Sequence, residues 1–356
     1  MTPAETGTVL FAWRRIPPPF LIGGAEVSQQ LLAEEFAAAG WRTVYLASHE
    51  PPWSGASDLP NMLGHLDGAG TTVERSADGA EIRYAWNGIE VRAVPQARLA
   101  AALSGALKEL APHLVITSQE GSAELARTAR SRAAVAGWLH SVSKTGLHVL
   151  DGRPQYALAT SEFVRSRIPD ARTATLFYPP FARPGPGDCG VDEERDSDLL
   201  MVNPVPAKGS DLLHHLADLL PDRHFTLVEG WWDTSAEFAD HPNVTYLPRT
   251  YDMNTLYARH RLLLVPSVVE DAFPRVIIEA ALAGLPALGS LRGGIPEAIG
   301  PQALLAPADD VPTWASLIRS LCPTRLACIG DHARLRAASL TRPCLPELRA
   351  AGIIPP

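Results

Sequence analysis

The chain is predicted to be an α/β protein built from two doubly wound, Rossmann-like parallel-sheet domains. Three observations lead there. Its 356 residues suit two domains of ~100–200 residues each. Short apolar, strand-like runs alternate with amphipathic, helix-like stretches in both halves. The alternation breaks at residues 182–198, where proline, glycine and acidic residues cluster and apolar residues nearly vanish, as in a linker.

Val9–Trp13 is an apolar run suited to a buried strand. The loop Arg14–Gly24 follows, with Pro17, Pro18 and Pro19. Ala25–Ala39 reads as a helix whose apolar arc is Val27, Leu31, Leu32 and Phe36, with Gly40 as its stop. Thr43–Ala47 is the next strand, so the chain opens as β–loop–α–β, the unit of a parallel sheet. Glu81–Trp86 and Ile89–Val94 alternate around Asn87-Gly88, a strong hairpin signal. Helix 97–110, strand 114–117, helix 121–132, strand 134–139 and a strand–helix–strand over 156–178 complete the first half. After the linker come strand Leu199–Val202 and helix Ser210–Leu220, with Ser210 placed as an N-cap. Strands Phe225–Glu229, Val244–Leu247 and Leu262–Val265, helix Arg275–Ala283 and strand Ala287–Gly289 follow, and helices 312–321 and 324–339 close the pattern. The expected boundaries are 1–181, a linker 182–198, 199–335, and a C-terminal helix or tail 336–356 available to pack back on the first domain.

Composition narrows the function. The chain is 46% apolar and 20% charged, with a net charge of −8, ordinary for a globular protein and adverse for nucleic acid. An anionic nucleotide can still be held by local groups. Cys189, Cys322, Cys328 and Cys344 form no CxxC and no zinc-ligand spacing, so reduced thiols and no metal site are expected. The N-terminal apolar run is too short for a signal segment, and nowhere do ~18 apolar residues run together. The reading is a soluble, cytoplasmic protein. Arg127, Arg130 and Arg132 on one predicted helix leave peripheral membrane contact open.

The most informative stretch runs from Pro266 to Ala280, after a buried strand and into a helix. Glu270 and Asp271 sit in its loop, and Glu279 sits among Val276, Ile277, Ile278, Ala280, Ala281 and Leu282. A carboxylate in so apolar a helix needs a partner. Ribose hydroxyls are one, and a nearby arginine is the other. Gly284–Leu285–Pro286 and Gly293–Gly294–Ile295–Pro296–Glu297 continue the segment. Upstream, Asn203 ends a strand and Lys208-Gly209 precedes a helix. Gly23 and Gly24 precede the first helix, where close backbone approach and free N–H groups favour phosphate. They do not form GxGxxG, so a dinucleotide-binding oxidoreductase is disfavoured.

Residues 266–297 resemble, in order, the PS..E.FG....EA.A.G.P motif and the following GGxxE of glycosyltransferase family 4, a retaining GT-B family. Met201–Gly209 resembles that family's GR…KG segment, and Gly23–Gly24–Ala25–Glu26 its GGxE. The resemblance implies two Rossmann-like domains facing across a cleft, the acceptor held mainly by the first and a nucleoside-diphosphate sugar by the second. It implies that Glu279 accepts from the donor ribose and that Asp271, or its neighbour Glu270, contacts the transferred sugar. Lys208 would neutralise the diphosphate, helped by Arg275 or backbone amides. His140, closing the run Ala134–Leu139, would contact the donor sugar, and Phe273 lies in the same motif. The loop containing Arg249 and Tyr251 matches the family's nucleobase-contacting segment. The resemblance further implies no cofactor and no metal, and a small-molecule, lipid-linked or glycan acceptor. The family's arginine is Asn203 here, its first acidic residue is aligned with Asp271, and its glycine is Pro274. Those departures motivate a second reading, a GT-B-like binding or partner protein with weak turnover. A third keeps the fold and makes the chain a sugar phosphorylase or epimerase.

Overall fold

The computed structural model describes residues 7–20, 23–50, 58–170, 174–182, 195–230, 232–250, 252–300 and 304–356. The chain divides into two compact units: Met1–Pro180 together with Pro343–Pro356, and Phe181–Arg342.

The first unit contains β1 (Thr8–Ala12), α1 (Gly24–Ala38), β2 (Arg42–Ser48), α2 (Leu59–Gly68), β3 (Glu74–Arg75), β4 (Ile82–Trp86), β5 (Ile89–Val94) and α3 (Leu99–Leu110). It continues with β6 (Leu114–Thr117), α4 (Ser122–Ala129), β7 (Ala134–Leu139), α5 (Lys144–Leu147), β8 (Tyr156–Ala159), α6 (Glu162–Ser166) and β9 (Ala174–Leu176). The strands form one sheet in the order β3-β4-β5-β2-β1-β6-β7-β8-β9. It is parallel from β5 to β9, and β4 returns antiparallel along β5. Asn87 and Gly88 close that hairpin with φ of 45° and 80°, the paired left-handed backbone of a type I′ turn. The interior strands bury both faces, with Phe11, Trp13 and Trp138 in one core and Leu10, Val44 and Val115 in the other.

The helix after β1 departs from its predicted face. Val27 and Leu31 are only half-buried, while Glu26, Ser28 and Gln29 are buried beside Leu32, Ala33 and Phe36. The first two turns of α1 therefore bring polar groups, not an apolar arc, to the unit's interior.

The second unit contains β10 (Ser197–Val202), α7 (Ser210–Leu219), β11 (Phe225–Val228), β12 (Val244–Leu247), α8 (Met253–Arg259), β13 (His260–Val265) and α9 (Arg275–Leu282). It ends with β14 (Ala287–Ser290), α10 (Ile295–Ile299), β15 (Leu304–Ala306), α11 (Val311–Ser320) and α12 (Pro323–Leu340). Its sheet has the order β12-β11-β10-β13-β14-β15, and all five pairings are parallel. Gly209, with φ of 93°, occupies the cap of α7; Ser210 is its first helical residue and not the predicted N-cap. The last helix, α13 (Cys344–Ala350), belongs to the first unit, where the Leu345 N–H donates to Glu35 Oε1 at 2.9 Å. Helix α12 runs unbroken past residue 336, so the segment that joins the first unit begins at Pro343. Among the described residues no helix is long and apolar enough to cross a membrane.

In each unit the strand order reverses about a central strand, β1 in the first and β10 in the second. Ligands of such sheets bind beyond the carboxyl ends of the strands at that switch point.

Candidate functional site

In the second unit, the loops leaving β10, β13 and β14 are tied together by their own backbone. The Val268 and Val269 N–H groups donate to the Ala207 carbonyl at 3.2 and 3.4 Å. Ser290 Oγ donates to the Ser267 carbonyl at 2.6 Å, and the Gly294 N–H to the Asp271 carbonyl at 2.6 Å. Two of the glycines there are required by space. A Cβ on Gly209 would stand 2.3 Å from the Pro266 carbonyl oxygen, and one on Gly294 would stand 2.1 Å from that of Ala272. The glycines of the KG and GG segments are thus what lets three strand ends converge.

This convergence brings Lys208 and Asp271 together. Lys208 closes a single 3-10 turn, Pro206–Lys208, and its ammonium donates to Asp271 Oδ1. Both side chains are mostly buried, and Asp271 Oδ2 is buried with no hydrogen-bond partner among the described residues. Asn203 follows β10 directly with φ of 62°, in the left-handed region that asparagine tolerates better than most residues. Glu270 is exposed beside Asp271.

Pro274 precedes α9, and Arg275 and Glu279 stand one turn apart on it. Arg275 is buried; its Nε donates to Glu279 Oε1 at 3.0 Å, and its guanidinium lies 4.4 Å from the Phe181 ring centroid. The buried Phe273 ring is 6.4 Å from Phe181. Glu279 is 28% exposed, and its other oxygen sits 3.5 Å from the Tyr257 hydroxyl, long for a hydrogen bond. Burial, and then the Glu279 charge, push the Tyr257 hydroxyl well above the usual phenol range. The arginine partner weighed for Glu279 in the sequence is therefore present, and the outer edge of the carboxylate is still reachable.

Arg249, after β12, donates to the Gly230 carbonyl and lies 3.8 Å from Glu229. A Cβ on Gly230 would fall 2.3 Å from the Asn203 side chain, so the β11 end abuts the β10 end. Tyr251 lies outside the described residues, as does Cys189. The sequence also holds an Asp-x-Asp, Asp196–Ser197–Asp198, the type of signature that binds a metal-bridged diphosphate in other sugar transferases. It lies at the start of β10, at the opposite end of that strand from Asn203. Asp196 pairs with Arg259 at 2.6 Å and Asp198 with Arg223 at 2.5 Å, which gives both carboxylates structural partners.

In the first unit, Gly23 is the extended N-cap of α1, Gly24 its first residue, and the Val27 N–H donates to the Gly23 carbonyl at 3.2 Å. Next to them stands a group that sequence reasoning missed. Arg15 bridges two carboxylates: Nη1 to Glu26 Oε1 at 2.7 Å, and Nε and Nη2 to the two oxygens of Glu120, each at 2.9 Å. Glu26 is 2% exposed. Burial works against the Arg15 charge, and its bonds to Glu120 and attraction to Glu26 outweigh that and raise its pKa. Burial likewise works against ionised Glu120, and the Arg15 hydrogen bond wins and holds its carboxyl below the usual range. The available signal was Arg15 directly after the first strand, with Glu26 and Glu120 each following a glycine pair or a strand. His140 follows β7, two strands from β1, with its ring centroid 4.3 Å from that of Trp138.

The Glu120 shift fixes a pH dependence. Its folded-state pKa lies below the ~4.3 of an unfolded glutamate, so the stabilisation is present above about pH 4 and is lost as pH falls through the folded value. Between pH 6 and pH 3 the wild-type Tm should fall more steeply than that of Glu120→Gln, measured by circular dichroism. Parallel curves for the two proteins would remove Glu120 from the acid response.

The comparisons with known proteins agree with this architecture. The chain superposes on sucrose-phosphate synthase from Thermosynechococcus elongatus with a TM-score of 0.73 at 17% identity, covering 97% of this chain and 98% of that one. It superposes on HepE from Anabaena, solved with UDP and glucose, with a TM-score of 0.73 at 18% identity, covering 98% and 99%. The pneumococcal O-GlcNAc transferase GtfA, solved with UDP and GlcNAc, gives a TM-score of 0.68 at 12% identity over 98% and 99% of the two chains. A search of curated proteins finds no match. The fold is that of the GT-B glycosyltransferases, and residues 199–323, the greater part of the second unit, match the family model described as glycosyl transferases group 1.

Proposed function

We propose that the chain is a retaining glycosyltransferase of the family 4 type that moves a hexose from a nucleoside-diphosphate donor to an acceptor hydroxyl. The single observation that carries this reading is the Lys208–Asp271 pair at the carboxyl ends of β10 and β13, followed one helix-start later by Glu279. In the proposed donor complex the Lys208 ammonium turns from Asp271 to the diphosphate. The freed Asp271 carboxylate, whose Oδ2 has no hydrogen-bond partner among the described residues, receives a sugar hydroxyl, and the exposed Glu270 lines the same edge. Glu279 receives the ribose hydroxyls on its accessible side.

The anomeric carbon–oxygen bond to phosphate breaks, the acceptor oxygen bonds to the same face, and its proton passes to a leaving phosphate oxygen. Lys208 supports this step by opposing the charge that grows on the diphosphate. No metal and no cofactor are part of the proposal. HepE has been solved with UDP-glucose, which makes UDP-glucose the first donor to try here.

The test is a thermal-shift panel of UDP, GDP and ADP, followed by NMR of donor hydrolysis. One nucleoside diphosphate should raise Tm in the wild type and not in Lys208→Ala, and the sugar released should keep its anomeric configuration. No shift with any of the three would sink the reading. Binding without hydrolysis would identify the weak-turnover binding protein instead, and phosphate-dependent release without a nucleotide would identify a phosphorylase.

A further inference from the structure

The second unit also holds a cavity of about 300 Å³ between α9, α10 and α12, and none of the residues discussed above as donor ligands lines it. It opens to solvent on the α12 side, where His332 and Ser339 are exposed. The volume lies at the lower end of the range of small-molecule pockets. Most of the wall is apolar, with Ile277 and Ala281 from α9, Ile299 from α10 and Ala333 from α12. The polar lining is confined to α12, where His332, Arg336 and Ser339 stand, and no aspartate or glutamate lines the cavity.

Arg336 is held at this edge by its own bonds. Nη2 donates to the Glu297 carbonyl at the end of α10, and a Cβ on Gly300 would stand 2.4 Å from Arg336 Cδ. Its Nε is buried against Gly300 and faces away from the open space. A guanidinium carries five N–H donors and no acceptor, so the bond to Glu297 leaves donors of this lining residue for an acidic group. The lining therefore asks for an apolar body with one acidic end.

We infer that this cavity is a binding site for a small apolar carboxylate, its chain against α9 and α10 and its carboxylate on the Arg336 guanidinium. Ile277 and Ala281 are each two residues on from Arg275 and Glu279, about 200° further round the helix. Helix α9 thus presents one side to this cavity and the other to the residues proposed for the donor. The inference stands on the cavity alone and survives failure of the donor reading.

Calorimetric titration of the full chain with octanoate, 1-octanol and acetate tests it. Octanoate should bind wild type about tenfold more tightly than octanol, the size expected of a charge-assisted hydrogen bond, and acetate should show no binding. Arg336→Gln should erase the difference between octanoate and octanol. Ala333→Leu, which fills the space, should abolish binding of both. Equal wild-type affinity for octanoate and octanol, no octanoate binding to wild type, or unchanged octanoate binding to a folded Ala333→Leu protein would each overturn it. The wild-type comparison needs no variant to fold.

Discussion

Replacing Lys208 with alanine should lower kcat on the accepted nucleoside-diphosphate sugar by about 10²–10³-fold, the usual effect of deleting one preorganised group that stabilises developing charge. The expected loss is large because Lys208 is the cation held against Asp271 at the β10 and β13 ends. Asn203 stands where the family resemblance has an arginine, and its φ of 62° together with the Gly230 backbone against its side chain suits a short residue there. Arg275 is buried and already committed to Glu279 and the Phe181 ring. Arg249 is turned onto the Gly230 carbonyl and Glu229. Lys208 faces a carboxylate, Asp271, that a diphosphate can replace, so Lys208→Arg should retain far more activity than Lys208→Ala. The substitution also strips Asp271 of its partner, which will lower Tm to some degree. Initial rates are therefore to be measured well below the variant's Tm. A kcat within threefold of wild type for Lys208→Ala would remove the lysine from the chemistry.

The same pair marks where sequence reasoning stopped. The strand–turn–helix junctions at 202–210 and 265–275 were legible because their signals are local: an apolar run, a Lys-Gly or Pro-Ser turn, then helical periodicity. The Asn87-Gly88 hairpin was legible for the same reason. That Lys208 and Asp271 hold one another was not, since each was assigned to a different part of the ligand and nothing in a sequence records what two side chains do before a ligand arrives. Helix α10 escaped because its five residues are too short to show a period, and α2 because its own Pro60, Gly64 and Gly68 compete with a helical reading. The buried Tyr257 beside Glu279 lies 22 residues upstream of it on α8, a helix without a periodic signal of useful length. Arg15 was missed on the same ground: its partners are 11 and 105 residues away, and ion pairing has no sequence period.

Arg15→Met should destabilise the first unit by about 3–5 kcal/mol, the cost of stranding one member of a buried ion pair, and lower Tm on the order of 10 °C. The reason lies with Glu26 more than with the arginine. Its carboxylate is 2% exposed, one oxygen receives Arg15 at 2.7 Å, and the other is buried with no hydrogen-bond partner among the described residues. Without Arg15 no charged partner among the described residues offsets its desolvation. The Arg15 guanidinium also lies 5.7 Å from the Trp13 ring centroid, so its replacement by methionine keeps apolar volume beside the ring and isolates the charge effect. The sign of the pH dependence separates this cause from ordinary packing loss. In the wild type burial works against ionised Glu120, and the Arg15 hydrogen bond outweighs it and holds the carboxyl below its usual range, a stabilisation lost as pH falls through the folded value. The variant lacks that bond, so the Tm gap between wild type and variant narrows from pH 7 toward pH 3. The double variant Arg15→Met, Glu26→Gln should recover most of the loss at pH 7, because no buried charge remains. Arg15→Lys should recover little, since a single ammonium cannot reproduce the fork that spans Glu26 and both oxygens of Glu120. A gap that stays constant with pH, or a double variant no more stable than Arg15→Met, would assign the loss to packing and leave the ion pair without a role in stability.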